Sequence, residues 1–201
     1  MCGSLSADAT SLPTAYSAVY DRFAIASRPE MSIGRLVKSR PLSRFAELAH
    51  HCERDLIRVF LVSPWVVSGA DKDFVPLVRI LESVRVAGAR LSVLTRTPTI
   101  ASHARAVALC EETIHSETLY LDSLHAKLYL LESNLLRAAM IGSPNFTPSG
   151  DRVHRELAVE IRSIKESDAG AMLIEDLFLF ARELMSDPAA TFHKRLSHPA
   201  R

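Results

Sequence analysis

The chain has 201 residues, 48% of them hydrophobic and 23% charged, with a formal net charge of +1. That length supports one domain with a real core, and no internal repeat or low-complexity tract interrupts it. The near-neutral balance argues neither for nor against nucleic acid, so a local basic patch would have to carry any such contact. Cys2, Cys52 and Cys110 are widely spaced and form no CxxC pair. They read as free thiols of a reducing compartment, and no zinc site is indicated.

Residues 1–42 are expected to be a separate N-terminal segment, and they are the least readable. The start lacks a basic stretch followed by an apolar run, so no secretory signal is expected. No stretch approaches transmembrane length, and the expected location is cytoplasmic, away from any membrane. Residues 16–26 read as a helix ahead of Arg28 and Pro29. Arg35, Lys38, Arg40 and Arg44 form a basic run around Pro41. It reads first as a solvated face, with a nucleic-acid contact as the alternative.

Residues 43–187 are expected to hold the domain. Ser43 is placed to cap a helix running to Arg54. Residues 56–62 are almost continuously apolar, which fits a central strand, and Ser63, Pro64 and Trp65 end it. Asp73 is placed to cap a helix through Ala87 that Gly88 closes. Residues 91–95 read as a strand broken at Arg96-Thr97-Pro98, and residues 102–112 as a helix. His103 and Arg105 lie in that helical pattern and are read as non-catalytic. Residues 118–121 are a short strand. Alternating strands and helices predict an α/β domain with a largely parallel part.

Two short apolar runs follow, 128–131 and 138–141, with a turn-like Glu132-Ser133-Asn134 between them. A third run, 157–161, alternates. These add antiparallel strands, so the sheet should be mixed, with helices on both faces. Residues 167–185 predict a long helix whose stripe Met172, Leu173, Leu177, Phe180 and Leu184 covers one sheet face. Residues 188–201 form a basic tail.

Polar groups stand where the last strands begin or end: His125, Lys127, Gly142, Ser143, Asn145 and Glu156. Strand ends are where α/β sheets bind ligands. A His is a nucleophile or acid/base, and a Lys two residues away shares its strand face. Gly-Ser-x-Asn offers donors to anionic oxygens. A Glu can hold the far nitrogen of a His and fix its tautomer. Together these residues describe a phosphate site containing a nucleophile.

The same residues resemble the phospholipase D superfamily, whose signature is His-x-Lys-x4-Asp-x6-Gly-Ser-x-Asn. His125 and Lys127 match its nucleophilic His and phosphate-binding Lys. Gly142, Ser143 and Asn145 match its Gly-Ser-x-Asn. Glu156 matches the acidic residue that follows in nuclease-type members, with Glu160 a weaker candidate. Val59 to Trp65 looks like the first core strand of that fold. Glu132 stands where the signature has Asp, His154 where many members have Asn, and the hairpin is about three residues longer.

Members of this superfamily build one site from two His-x-Lys motifs, and one copy is present here. The resemblance therefore implies a symmetric homodimer with both His125 side chains at one phosphate. It implies a metal-independent phosphodiesterase that needs no cofactor and works through a phosphohistidine. Lys127 and Asn145 would hold the non-bridging oxygens, Ser143 and Gly142 would add donors, and Glu156 would orient His125. Arg137, Arg152 and Arg155 are candidates for flanking phosphates. Single-motif members are often nucleases, so DNA or RNA is the expected substrate. A restriction or phage-defence setting, with a helicase or another defence-complex subunit as partner, is the expected context. The alternatives are a phospholipid hydrolase or phosphatidyl transferase, against which no amphipathic membrane-facing helix is evident, and a catalytically silent subunit of a larger complex.

Overall fold

A computed structural model describes residues 34–67, 75–164 and 169–192. The helix expected at 16–26, the cap Asp73 and the tail beyond Phe192 lie outside the described residues.

The described elements, in chain order, are β1 (Arg35–Val37), α1 (Pro41–His51), β2 (Leu56–Val62), α2 (Pro76–Ala87), β3 (Arg90–Thr95), α3 (Ala101–Glu111), β4 (Ser116–Tyr120), β5 (Leu128–Ser133), β6 (Arg137–Gly142), α4 (Pro148–Arg152), β7 (Ala158–Ser163), α5 (Ala169–Met185) and β8 (Thr191–Phe192). The strands form one sheet in the order β1-β7-β6-β5-β2-β3-β4-β8. β2, β3 and β4 run parallel, and every other neighbouring pair is antiparallel. The mixed α/β sheet expected from the sequence is present. It draws strands from both sides of the expected 43–187 domain, since β1 pairs with β7 and β8 with β4.

The sheet divides the core by strand parity. Phe60, Val62, Leu128, Leu130, Ala139 and Ile161 point to one face and pack on Ile174, Phe178 and Ala181 of α5. The alternate residues point the other way, toward α1, α2 and α3. There Tyr129 meets Phe45 of α1 at 5.8 Å between ring centroids. With helices on both faces, the central strands are buried on both sides, which is why β2 and β5 read as unbroken apolar runs.

α5 corrects the expected stripe. Its core face is Ile174, Phe178 and Ala181, with Leu177 and Leu184 of the expected stripe packed beside them, while Met172, Leu173 and Phe180 are exposed. Residues 171–181 are apolar nearly all round, so two stripes have helical spacing, and the position of the sheet selects between them.

α1 also starts differently. Pro41 occupies its first turn, and Arg40 precedes it in the left-handed region at φ 50°, with no side-chain cap of its own. Ser43 is not the cap. Asp151, from beyond the hairpin, accepts from the backbone N–H of Leu42 and of Ser43, both at 2.9 Å, and from Ser43 Oγ at 2.6 Å. A buried carboxylate at a helix N-terminus is favourable on both hydrogen-bond and dipole grounds. α2 ends as expected, with Gly88 at φ 64°.

Glu132 lies near the far end of β5, five residues and about 16 Å along the strand from Lys127. Its carboxylate joins Arg58 of β2 and accepts from Arg137 Nε of β6 at 2.9 Å. It clamps three strands at the end remote from His125. Arg137 is therefore no flanking contact of the site: it is held by Glu132 and Glu175.

Candidate functional site

The carboxyl ends of β2, β3, β4 and β6 and the start of β5 and β7 meet at one edge of the sheet. The loop from β4 to β5 delivers His125 to that edge. Two contacts fix this loop. Arg96 Nε donates to the Leu124 carbonyl at 2.8 Å, and the Thr97 N–H donates to Asp122 Oδ1 at 3.0 Å. The Thr97 bond, with Arg96 nearby, holds the Asp122 carboxyl below the usual range. His125 is exposed, and Lys127 Nζ donates to the His125 carbonyl at 2.9 Å.

The loop after β6 closes the other side. Gly142 cannot be any other residue here: a Cβ would lie 2.2 Å from the Leu157 carbonyl oxygen and 2.7 Å from Ala158 Cα. That close approach lets the Ser143 N–H donate to Leu157 O at 3.0 Å. Ser143 Oγ donates to Glu156 and accepts from the Leu157 N–H at 3.1 Å. Tyr129, fully buried, donates its phenol to the Pro144 carbonyl at 2.6 Å. Burial pushes that phenol well above its ordinary range, with Glu156 adding to the rise. Ser63 Oγ accepts from the Phe146 N–H at 3.0 Å, and Val66 bridges to Phe146. Thr147 caps α4 through the Gly150 N–H at 3.0 Å. The loop is thus held from β2, β5 and β7.

His125, Lys127, Gly142 and Ser143 line one cavity of about 390 Å³, together with Leu177 and Phe180 of α5. Asn145 is half-buried, and among the described residues its Oδ1 has no hydrogen-bond partner. Glu156 lines a neighbouring cavity of about 360 Å³, with Arg152, His154, Lys38 and Arg40. Among the described residues no hydrogen bond joins Glu156 to His125. Ser143 is the link, since it borders the His125 cavity and bonds the Glu156 carboxylate. Arg155 is exposed. Glu160, the weaker candidate, is 2% exposed and lines neither cavity. It accepts from Arg44 Nε at 3.1 Å and Arg162 Nε at 2.6 Å, and Arg35 approaches it at 3.6 Å. Arg35 and Arg44 of the basic run are therefore ion-paired rather than simply solvated.

Sequence reasoning missed Arg96, Asp122, Tyr129, Ser63 and Asp151. Arg96 reads as a strand breaker and Tyr129 as one more core residue, and only their partners further along the sequence, Leu124 and Pro144, reveal a positioning role. His103, read as non-catalytic, is fully buried in α3. Its Nε2 meets Thr95 Oγ1 at 2.9 Å and its ring packs on Trp65 at 5.4 Å. Cys52 and Cys110 are buried and free. Among the described residues, no group of three or more His, Cys, Asp or Glu is placed to hold a metal ion, and no helix is long and apolar enough to cross a membrane.

No protein-family model matches the sequence, and no curated protein does. Solved structures do. Nuc from Salmonella typhimurium, a phospholipase D family member, superposes with a TM-score of 0.57 at 14% identity, over 80% of this chain and 97% of that one. NucT from Helicobacter pylori gives 0.55 at 9% identity, over 80% and 98%. Phosphatidylserine synthase from Haemophilus influenzae gives 0.51 at 10% identity, over 80% of this chain and 39% of that one. The chain has the phospholipase D-like fold.

Proposed function

We propose that this chain is a phosphodiesterase that cleaves DNA or RNA through a phosphohistidine, at a site completed by a second copy of itself. The observation that carries this reading is the shared cavity of His125, Lys127, Gly142 and Ser143, at the carboxyl ends of the parallel strands, where α/β sheets bind ligands. An exposed imidazole beside an ammonium and a serine hydroxyl suits an anionic phosphorus centre.

The reaction proceeds in two displacements. The imidazole of one His125 attacks phosphorus, forming a P–N bond as the P–O bond to the leaving group breaks. The protonated His125 of the second copy gives its proton to the leaving oxygen. Now neutral, that imidazole takes a proton from water, whose oxygen attacks phosphorus and breaks the P–N bond. Lys127 and the Asn145 amide face the non-bridging oxygens, where charge builds. Glu156 acts through Ser143, holding its hydroxyl in place.

A second copy is needed because one chain supplies one His125. α5 offers a surface for it: Met172 (66% exposed), Leu173, Leu179 and Phe180 stand exposed opposite its core face, on a face they share with the exposed Asp176 and Glu183. Phe180 and Leu177 also border the His125 cavity, so a two-fold contact through this face would bring both cavities together. The context we favour is restriction or phage defence, alongside a helicase or another defence subunit.

The apolar lining of the cavity by Leu177 and Phe180 favours a second reading, a phospholipid phosphodiesterase or phosphatidyl transferase. Hydrolysis assays on labelled DNA, labelled RNA and phospholipid vesicles, each with wild type and His125→Ala, test both. Cleavage of nucleic acid that His125→Ala abolishes is expected. Turnover confined to vesicles would replace the first reading with the second, and His125-independent cleavage would remove both.

A further inference from the structure

The basic run near Pro41 and the arginine after the Gly-Ser-x-Asn loop lie far apart in sequence but line one cavity, that of Lys38, Arg40, Arg152, His154 and Glu156. We infer that this cavity is a second phosphate-binding subsite, holding a neighbouring phosphate of the strand whose scissile phosphate sits at His125. The inference rests on the nucleic-acid reading above and names what distinguishes a strand from a single phosphodiester.

Three observations carry it. First, Lys38 and Arg40 are exposed, and among the described residues neither is ion-paired, whereas Arg35 and Arg44 of the same run are consumed by Glu160. Second, the acidic groups of the cavity are already engaged. Asp151 is 3% exposed and accepts from two backbone N–H groups and a hydroxyl. Glu156 accepts from Ser143. Arg152 Nε approaches Asp151 at 3.9 Å with its outer face exposed. Third, Arg40 is held in the left-handed region, at φ 50° and ψ 48°, a conformation that costs a non-glycine residue energy and that clusters at ligand sites. The Asp151 cap on α1 ties this turn to α4, which directly follows the loop that carries Ser143 and Asn145. The Ser143–Glu156 pair is the wall between the two cavities, so a strand crossing it places one phosphate on each side of a carboxylate. That carboxylate repels a phosphate lodged between the two cavities.

The test is fluorescence anisotropy with a short fluorescein-labelled single-stranded DNA, on full-length protein carrying His125→Ala so that the probe stays intact. Affinity is measured across a salt series, with and without Lys38→Ala plus Arg40→Asn. Asn tolerates the left-handed backbone better than Ala, and circular dichroism checks folding. We expect about ten-fold weaker binding and a salt slope lower by about 1.4, since each cation on a single strand contributes about 0.7. Lys38→Ala alone should remove about half of that slope. A labelled dinucleotide, with one phosphodiester, should bind both proteins alike. An unchanged slope, or an equal loss with the dinucleotide, overturns the subsite. If wild type cleaves no nucleic acid while the slope still follows Lys38 and Arg40, the catalytic reading fails and the subsite stands. Cleavage with an unaltered slope gives the reverse.

Discussion

The phenol of Tyr129 donates to the Pro144 carbonyl at 2.6 Å, so the middle of a central strand holds the loop that carries Ser143 and Asn145. Both groups are buried. Tyr129→Phe leaves the carbonyl without its donor, at a cost of about 1–3 kcal/mol. Urea unfolding should show that loss. Turnover should fall as well, because the loop loses its pin. A variant as stable as wild type would show that the bond does not hold the loop.

His103 predicts a pH dependence. Its pKa is lowered by burial, and its Nδ1 is buried without a partner among the described residues. The unfolded chain takes up a proton below the ordinary His value of about 6.5, and the folded chain refuses it. This group therefore costs nothing above that value and removes stability as pH falls below it, toward the lowered folded value, by up to about 1.4 kcal/mol per pH unit. His103→Gln should lose less stability than wild type between pH 7.5 and pH 5. Trp65 packs on His103 and is the only tryptophan of the chain, so its fluorescence follows the unfolding. Parallel losses in the two proteins would contradict the assignment.

In the proposed chemistry Lys127 and Asn145, rather than a metal ion, stabilise the charge that builds on the non-bridging oxygens. Lys127→Ala and Asn145→Ala should each lower kcat by about 10²–10³, the usual loss for one donor aimed at developing charge. Glu156→Gln should cost less than His125→Ala, because Glu156 acts through Ser143. If Glu156→Gln matched His125→Ala, the carboxylate would have to touch the reacting groups.

Cleavage should also survive excess EDTA. Activity that vanishes on chelation and returns with magnesium would overturn the two-histidine mechanism.

Much of this site is legible in the sequence because it is local. The apolar runs of β5 and β6 and the polar residues at their ends mark the hairpin, and Gly-Ser-x-Asn marks the loop that follows it. What was not legible is long-range. Asp151 caps a helix 109 residues away, and nothing near either residue announces it. Glu160 reads as a weaker candidate for the acidic site residue until the arginines of β1, α1 and β7 meet at it. Glu156 is well placed in sequence to orient His125, yet the Ser143 hydroxyl, anchored by the Leu157 N–H, takes its carboxylate. In the stripe of α5, Leu177 and Leu184 pack on the core as expected, but Met172, Leu173 and Phe180 do not, because the helix carries apolar residues on both sides and only the sheet decides which side is covered.

Whether two His125 side chains serve one phosphate, as we propose, is decided by a mixed dimer. Wild-type and His125→Ala chains carrying different tags are co-expressed, and the heterodimer is purified through both tags. Each site then has one imidazole and lacks either nucleophile or acid. The account predicts turnover at a small fraction of wild type, on the order of a hundredth, a loss within the range that removal of one catalytic group produces. A mixed dimer that keeps about half of wild-type activity, the share expected when one of two independent sites survives, would show that each chain carries a complete site of its own, contradicting the shared mechanism.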